Sequence, residues 1–310
     1  MTLTGIQLAE PLQPGSRAWL DTYSASQVAA IMGWSNWDTP RSIADKKLGV
    51  IPPQEQTVDQ SRGHYWEPHI RQWVIDANPT WTVEETSTWR HNEREWQTAD
   101  PDGMIFLPDG TPEGLEEKTD ANLHTWGDQP PIGYQCQATW QMDTIGTRRT
   151  HIAACGPFEL FHRRPKMFVI DYNPRFAAML RERVMAFDRN LRAGILPAPD
   201  HTHKADREAM RYEHTSIVGT GKTDPGLEIP ESLAVPFLEA ARAATTVAEA
   251  KKTEASRLLQ YLGDQKKAVY KGKTIATRVN GKGDNPPSLR AADGLADLAT
   301  ELLTDEKAVA

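Results

Sequence analysis

The chain is poor in cysteine, has no long apolar run and carries no tryptophan in its second half. Its two cysteines, Cys136 and Cys155, are too few for a disulfide framework or for an iron–sulfur cluster, which needs about four cysteine ligands. No apolar stretch approaches the roughly 18 residues that span a bilayer, and the N-terminus lacks the basic and apolar segments of a secretion signal. We therefore expect a soluble protein of the cytoplasm.

The tryptophans indicate where the main core lies. All ten occur between Trp19 and Trp140, so this region holds the heaviest aromatic core. We predict a core domain over residues 1–199, a polar linker over 200–230 and a C-terminal extension over 231–310. The core should close with strands near 149–155, 158–163 and 166–172 and a helix over 174–192. The extension should hold a helix over 231–262, a hairpin around Gly272 and a helix near 290–307.

Two carboxylates and a lysine are the most informative residues. Asp102 closes an alternating run over 96–106, a Pro-Asp-Gly turn follows, and a second short strand carries Glu116, Glu117 and Lys118. Because side chains alternate in a strand, Glu116 and Lys118 share a face and Glu117 points away. If the two strands pair, Asp102 joins the face of Glu116.

This arrangement suits metal-assisted hydrolysis. Carboxylate oxygens bind hard cations such as Mg²⁺ or Mn²⁺, and a lysine beside the ions can hold or polarise a water. Two ions about 4 Å apart can activate the water and stabilise the leaving oxygen of a phosphodiester. The alternative is a surface hairpin with solvated charges, since a short motif alone is weak.

Glu67 is the first of the further residues that could belong to the site of Asp102, Glu116 and Lys118. Ile70, Trp73 and Val74 recur at helical spacing, and Pro68 suits the first turn of a helix. We expect Glu67 at the entrance of this helix, where it can reach a metal directly or through water. The alternative is a glutamate that only complements the helix dipole.

Two further segments offer polar groups. Tyr134, Gln137 and Gln141 lie three and four residues apart, on one face of a predicted helix. A glutamine near a metal site can orient a water. The alternative is a polar helix face that is exposed to solvent. Ser24 or Ser26 begins a short helix and can bind phosphate, although capping without a ligand is the commoner outcome.

The order of these segments resembles the YqaJ-like viral recombinase family, relatives of the lambda-type exonuclease among the PD-(D/E)xK nucleases. The resemblance covers roughly residues 15–195. It is carried by five short motifs in order: Ser24-Ala25-Ser26, Gly63-x-x-x-Glu67, Pro101-Asp102-Gly103, Gly114-Leu115-Glu116-x-Lys118 and Tyr134-x-x-Gln137.

The resemblance implies roles for these residues. Asp102 and Glu116 would be metal ligands, with Glu67 as a further ligand or catalytic group. Lys118 would be the catalytic lysine and Gln137 the glutamine of the last motif. We assign contact with DNA to Ser26, where the family has a serine that contacts the 5′ phosphate, and also to Ser24 and Tyr134.

Two positions depart from the family pattern. Asp100 stands where the family has Ser or Ala, and its negative charge should weaken contact with a terminal phosphate. Glu117 stands where the family has an apolar residue. Either Glu117 faces a polar layer or its strand is less buried than usual.

The resemblance also implies the fold and the activity. We expect an α/β, PD-(D/E)xK restriction-endonuclease-like core with a central mixed sheet flanked by helices, plus a C-terminal helical extension. The expected activity is Mg²⁺-dependent exonuclease digestion of double-stranded DNA ends, 5′ to 3′, in a phage-type recombination system. The alternatives are an endonuclease or repair nuclease of the same fold, and a non-catalytic DNA-binding assembly factor.

The resemblance implies partners as well. These are double-stranded DNA ends, a single-strand annealing protein and further copies of the chain in a ring trimer, but no membrane. A phage-encoded protein would work in the cytoplasm of its bacterial host.

The charge distribution complicates DNA binding. The formal net charge is −7, and the whole acidic excess lies in residues 1–200. Residues 266–282 contain six basic residues and no acidic one: Lys266, Lys267, Lys271, Lys273, Arg278 and Lys282. We predict that Lys271, Lys273 and Arg278 contact the DNA backbone. The alternative is a solvated hairpin whose lysines protect a sheet edge.

Overall fold

The computed structural model describes residues 3–52, 57–213, 215–217, 226–281 and 285–304. The chain divides into two compact units, Met1–Val218 and Gly219–Ala310. The helices are α1 (Arg17–Leu20), α2 (Ala25–Ile31), α3 (Pro40–Lys47), α4 (Val58–Ala77), α5 (Ile132–Ile145), α6 (Pro157–His162), α7 (Pro174–Arg192), α8 (Lys204–Glu213), α9 (Glu231–Leu262) and α10 (Leu295–Thr304). The strands are β1 (Gly5–Gln7), β2 (Thr82–Glu85), β3 (Trp89–His91), β4 (Thr98–Ala99), β5 (Gly103–Phe106), β6 (Pro112–Thr119), β7 (Arg149–Cys155), β8 (Lys166–Asp171), β9 (Lys267–Tyr270), β10 (Lys273–Val279) and β11 (Ser288–Ala291).

A five-stranded mixed sheet forms the centre of the first unit. Its strand order is β2-β5-β6-β7-β8, in which β6 and β7 run parallel and the other neighbours run antiparallel. The hairpin of β5 and β6 turns at Gly110, which has a φ of 80° that glycine adopts freely. Helix α5 connects β6 to β7, as a parallel pair requires. The predicted α/β architecture, a mixed sheet flanked by helices, is confirmed.

Each face of the sheet is covered by one long helix. On one side, Ile70 and Val74 of α4 pack against Leu115 and Ala153. On the other side, Met142 of α5 lies in a cluster that includes strand residues of β7 and β8. These clusters bury alternate residues of β7 on opposite faces. We call the two sides the α4 face and the α5 face of the sheet.

A helical layer and a small sheet complete the first unit. Helices α2, α5 and α7 share a buried cluster that includes Val28, Trp140 and Leu180. The indole of Trp140 donates to the carbonyls of Tyr23 and Thr98, at 3.2 and 3.0 Å. Strands β1, β3 and β4 form a separate three-stranded sheet. None of the helices in the described ranges combines the length and hydrophobicity needed to cross a membrane.

Helix α4 begins earlier than the sequence suggested. It starts at Val58, so Pro68 lies inside the helix and not in its first turn. Thr57 caps the helix, because its hydroxyl accepts from the Gln60 amide at 3.2 Å while the Gln60 side chain accepts from the Thr57 amide at 2.8 Å. Burial of Ile70 and Val74 beyond the proline offsets the hydrogen bond that proline cannot make.

Three other segments differ from expectation. Residues 158–163, predicted as a strand, lie mainly in α6, where Pro157 occupies the first turn and Glu159 accepts from the Gly156 amide at 3.0 Å. The run over 96–106 is not one strand, because β4 and β5 belong to different sheets. Helix α8 lies within the predicted linker, and its buried Asp206 accepts a hydrogen bond from Thr39.

The second unit combines two helices with a three-stranded sheet of order β11-β10-β9. The predicted hairpin is present, and its two loop residues, Lys271 and Gly272, have φ values of 46° and 76°, as a type I′ turn requires. Residues 288–291, at the start of the segment expected to be helical, form β11. The C-terminal end of α9 packs on the sheet through Leu258 and Leu262.

Candidate active site

Strand β6 directs its charged residues to opposite faces of the sheet. Glu116 contacts Gln141 of α5, and Lys118 lies 5.9 Å from the centre of the Tyr134 ring, also on α5. Glu117 points the other way and pairs with Arg71 of α4. The predicted alternation of these three side chains is therefore present. A side chain at Gly114 would lie 2.7 Å from the Thr150 hydroxyl, so glycine allows β7 to approach this strand closely.

Asp102 lies beside Glu116 because of the hairpin register. Gly103 pairs with Leu115, and the next position along each strand brings Asp102 opposite Glu116. One carboxylate oxygen of Asp102 accepts from the Glu117 amide at 2.6 Å and lies 3.7 Å from the Lys118 ammonium. The structure thus brings together the two acids and the lysine that the sequence predicted as a group.

Glu116, which is buried, and Lys118, which is partly buried, form an ion pair. Burial and the negative charge of Asp102 together raise the pKa of Glu116 to about 7. Burial opposes the charge on Lys118, but the carboxylates of Glu116 and Asp102 outweigh it and raise the lysine pKa above its ordinary value. Two acids therefore share one cation, and the negative charge at this point is only partly compensated.

Gln141 is a contact that sequence analysis did not assign to the site. Its amide nitrogen donates to the second oxygen of Glu116 at 2.7 Å. Its own carbonyl oxygen is buried and has no hydrogen-bond partner among the described residues. The spacing of Tyr134, Gln137 and Gln141 contained the signal, but a partner on β6 was needed to identify which glutamine holds Glu116.

Gln137 lies on the same side of α5 as both of these contacts. Tyr134 reaches Lys118 and Gln141 reaches Glu116, and Gln137 stands between them at helical spacing. It is half-buried. The structure thus places Gln137 on the helix face that covers the candidate site, and its role remains a prediction.

Glu67 lies about two and a half turns inside α4, and not at a helix entrance as expected. One of its oxygens lies 3.9 Å from the His64 ring. Burial, followed by the negative charge of Asp102, raises the pKa of Glu67, so the two carboxylates interact. Because Glu67 lies inside the helix and not at its end, it does not complement the helix dipole. Its role near a metal stays a prediction.

Glu117 explains one departure from the family pattern. Glu117 is buried, and the Arg71 guanidinium donates to both of its carboxylate oxygens, at 3.0 and 3.1 Å. Arg71 also donates to the backbone carbonyl of Asp102 at 3.0 Å. Glu117 therefore faces a polar layer on the α4 face, and Arg71 links this layer to the loop that carries Asp102.

A cleft of about 390 Å³ opens next to Asp102. Acidic side chains dominate its lining: Glu67, Glu85, Asp100 and Asp102, with Arg71 as the basic member. The pKa of Asp100 is raised, because surrounding protein atoms displace water from it and because Asp102 is also negative. Asp100 accepts a hydrogen bond from Thr88. That the negative charge of Asp100 weakens contact with a terminal phosphate stays a prediction.

Ser24 and Ser26 lie at the start of α2, as expected. Ser24 is the N-cap, Ser26 is exposed, and their hydroxyls are 3.4 Å apart. Within the described ranges neither hydroxyl makes a hydrogen bond to the carboxylates of the candidate site. Their contact with DNA is untested.

The basic residues of the second unit make contacts inside that unit. Lys271 donates to the Leu302 carbonyl at 3.0 Å, and Arg278 donates to the Gly263 carbonyl and lies 3.3 Å from Asp264. Lys273 is exposed. Lys282 falls outside the described residues. Lys271 and Arg278 thus have a structural role beside the predicted contact with DNA.

The carboxylate pair fits a hard divalent cation. No group of three or more His, Cys, Asp or Glu side chains is arranged as a metal cage in the part of the chain that the structure describes. Mg²⁺ is commonly held by one or two carboxylates, while water and substrate phosphates complete its octahedron. Asp102 and Glu116 would supply two such ligands, and a bound cation would relieve the repulsion between them.

Comparison with known proteins identifies this part of the chain. Residues 17–148 match the model of the YqaJ-like viral recombinase domain. This segment is similar to that domain. It contains all five motifs and each of the residues Asp102, Glu116 and Lys118, so the predicted resemblance is confirmed. No curated protein matches the chain.

Solved structures of exonucleases share a distant likeness with this chain. An alkaline exonuclease, LHK-Exo from Laribacter hongkongensis, has 22% identity and a TM-score of 0.45, covering 57% of this chain and 90% of that chain. Its complex with dAMP gives a TM-score of 0.47 at the same identity and coverage. A phage-related exonuclease from Haemophilus somnus 129PT has 16% identity and a TM-score of 0.44, covering 56% and 95%. With TM-scores below 0.5, these likenesses support no conclusion about this chain.

Proposed function

We propose that this chain is a divalent-metal-dependent exonuclease that degrades double-stranded DNA from its ends, 5′ to 3′, in a phage-type recombination system. The observation that carries the proposal is the contact network of Asp102, Glu116 and Lys118. These two acids and one lysine meet at the adjoining ends of two paired strands. The similarity of residues 17–148 to the family supports the same conclusion.

The residues would divide the chemistry as follows. Hydrolysis adds water across one P–O bond and leaves a phosphate and a hydroxyl. Mg²⁺, for which Mn²⁺ can substitute, would supply an activated water and offset the charge of the phosphate, with one or two ions present. Asp102 and Glu116 would hold the metal, and Glu67 would hold it directly or through water.

Lys118 and the α5 residues would act beside the metal ligands. The Lys118 ammonium lies between Glu116 and Asp102, so it would stand next to the water and the developing negative charge. Gln137 would orient the water or hold a phosphate oxygen without adding charge. Gln141 would fix one oxygen of Glu116, and the other oxygen, which pairs with Lys118, would have to turn to the metal.

DNA contact is proposed for residues in both units. Ser24, Ser26 and Tyr134 would contact the strand near the cleavage point. Lys271, Lys273 and Arg278 would contact the duplex backbone, where each phosphate contact adds about 0.9 to the salt slope of binding. Because Lys271 and Arg278 also hold their own unit together, a loss of affinity in their variants counts only if the melting temperature is unchanged.

One digestion experiment tests the activity. Linear duplexes with 5′-phosphate or 5′-hydroxyl ends, labelled at either end, and a closed circular duplex are incubated with Mg²⁺, with Ca²⁺ or with EDTA. We expect Mg²⁺-dependent loss of the 5′-terminal strand and no cutting of the circle. Because Asp100 should weaken contact with a terminal phosphate, we expect a small preference between the two 5′ ends.

The other outcomes identify the alternatives. Cutting of the closed circle would indicate an endonuclease or repair nuclease of the same fold. Binding without hydrolysis in any divalent metal would indicate a DNA-binding assembly factor. Sedimentation of the same preparation tests the ring trimer, and titration with a single-strand annealing protein tests that partner.

A further inference from the structure

A second pocket, of about 560 Å³, lies on the surface of the first unit between α6 and β8. We call it the α6 pocket. Its lining consists of Phe158, Glu159, His162, Arg164, Pro165 and Lys166. The volume falls in the range of roughly 300–1,000 Å³ that is typical of small-ligand sites. Neither the five motifs nor the proposed chemistry uses any of these residues.

Exposed aromatic rings form one side of this pocket. Phe158 is 69% exposed and Phe161, on the same short helix, is 82% exposed. The centre of the His162 ring lies 4.2 Å from that of Phe158 and 5.1 Å from that of Phe161. Leu160 alone of these apolar residues packs inward, against the cluster on the α4 face. The two phenyl rings therefore do not serve the core and present flat apolar surface to solvent.

Positive charge forms the other side. The Arg163 and Arg164 side chains are exposed, and neither makes an ion pair or side-chain hydrogen bond among the described residues. Lys166 is held at the pocket by donation to the carbonyls of Trp126 and Gly127, at 3.3 and 3.1 Å. Glu159, the acid of the lining, already accepts from the Gly156 amide. The cations therefore outnumber the acid, in a chain with net negative charge.

The α6 pocket lies near the same ends of strands β6 and β7 as the candidate active site. Lys118 pairs with Ala154, and the chain enters α6 three residues later. Four residues of chain reach at most about 14 Å and paired strands lie about 4.8 Å apart, so Phe158 stands within roughly 20 Å of Lys118. At the duplex spacing of about 3.4 Å per phosphate along one strand, this span corresponds to at most about six nucleotides.

We propose that the α6 pocket binds an unpaired nucleotide of single-stranded DNA. The base would stack against Phe158 and His162, and its phosphate would contact Arg164, which matches phosphate geometry well. Phe161 and Arg163 would contact the neighbouring nucleotide. Single-stranded DNA is favoured over duplex because the flat faces of the bases are accessible only when they are unpaired. The choice of DNA as ligand rests on the proposed function, since a nuclease that digests one strand leaves the other unpaired.

Binding without hydrolysis tests this proposal. Fluorescence anisotropy of a labelled oligothymidine is measured with the full chain in EDTA, so that metal-dependent cleavage cannot occur. Phe158→Leu and Arg164→Ala should each raise the Kd about 5-fold or more, as expected for loss of one stacked base or one phosphate contact. Phe158→Trp should retain affinity, because it keeps the aromatic face. Arg192→Ala is the matched control, since it removes an exposed arginine that is already paired with Asp188, and it should change the Kd less than 2-fold.

Arg163 gives a variant that keeps the fold intact. Its φ of 54° lies in the left-handed region, where glycine is favoured. Arg163→Gly should therefore leave the melting temperature unchanged or raise it, while it weakens oligothymidine binding at least 2-fold. Unchanged binding in both Phe158→Leu and Arg163→Gly would overturn the proposal.

Two further results would also overturn it. If Phe158→Leu weakens binding of blunt duplex as much as that of the single strand, the pocket does not recognise unpaired bases. If Phe158→Leu alters the sedimentation of the protein while strand affinity is unchanged, the rings are covered by a second copy of the chain. Because Asp102 and Glu116 are untouched and the assay contains EDTA, failure of the proposed nuclease activity would not change these measurements.

Discussion

Strand β6 carries a buried acid–base pair on each of its faces, and the two pairs are built differently. On the α4 face, Glu117 receives two hydrogen bonds from the planar guanidinium of Arg71. On the α5 face, Glu116 shares the single ammonium of Lys118 with Asp102. The first pair is saturated by its own partners. The second leaves two acids with one cation. Burial raises the pKa of both glutamates, to about 7 for Glu116 and about 8 for Glu117, so the pKa alone does not separate the two pairs.

This difference separates a structural ion pair from a candidate catalytic one. Burial of charge is common to both faces and does not by itself indicate function. The α5 face differs in that Asp102 and Glu116 share one flexible ammonium, whereas Glu117 is held by two hydrogen bonds from a planar guanidinium. We expect a divalent cation to bind beside Asp102 and Glu116.

The largest effect should come from removing the acids of the α5 face. Asp102→Ala or Glu116→Ala should reduce Mg²⁺-dependent DNA digestion to the assay background, because each removes a proposed metal ligand. Without metal the melting temperature should stay the same or rise, since repulsion between the acids is relieved. Asp109→Ala, in the exposed turn of the same hairpin, is the matched control and should keep full activity. Near-normal turnover in either acid variant would show that the site is misassigned.

Lys118 should affect chemistry more than metal binding. Lys118→Ala should lower turnover roughly 10²–10³-fold, because it removes a fixed positive charge next to the developing anion. Calorimetric titration should still show Mg²⁺ binding, since Asp102 and Glu116 remain. A variant with lost Mg²⁺ affinity and unchanged turnover at saturating metal would contradict the assigned role.

Breaking the Arg71–Glu117 ion pair on the α4 face should lower the stability of the protein. Glu117→Leu should lower the free energy of unfolding by about 3–5 kcal/mol, because Arg71 is left partly buried without its main partner. The double variant Arg71→Leu and Glu117→Leu should recover part of this loss. Urea unfolding of the four proteins in the cycle measures the coupling. Additive effects would mean that the pair is not a structural unit.

The smallest expected effect is in the pH dependence of stability. Because folding raises the pKa of Glu116 from 4.5 to about 7, the folded protein retains a proton that the unfolded chain releases in this window. The corresponding stabilisation is present below pH 4.5 and is lost as the pH rises to 7. In EDTA, Glu116→Gln should reduce this loss by about 1–2 kcal/mol between pH 5 and 8. Identical pH profiles for wild type and variant would mean that Glu116 is ionised throughout.

Local signals in the sequence were sufficient to predict that Asp102, Glu116 and Lys118 lie together, and to predict much of the fold. The alternation of Glu116, Glu117 and Lys118 follows from strand geometry alone, and the turn at Gly110 follows from residue types. The helix over 174–192 was predicted with its observed bounds, because its capping and periodic signals agree. Residues 158–163 were misassigned because a short apolar run does not distinguish a strand from one helical turn.

Partners across elements required the tertiary structure. The sequence of strand β6 shows that Glu117 points away from Glu116, but only the packing of α4 reveals that Arg71 meets it there. The same holds for Gln141, which became recognisable only when α5 crossed the α5 face and met Glu116. Alternation and turn chemistry are properties of neighbouring residues, so the sequence by itself determined the candidate site. Ion pairing and solvent exposure depend on residues tens of positions apart. Only the tertiary structure therefore decided that Glu117 is held by both hydrogen bonds of Arg71 and that the rings of Phe158 and Phe161 remain exposed to solvent.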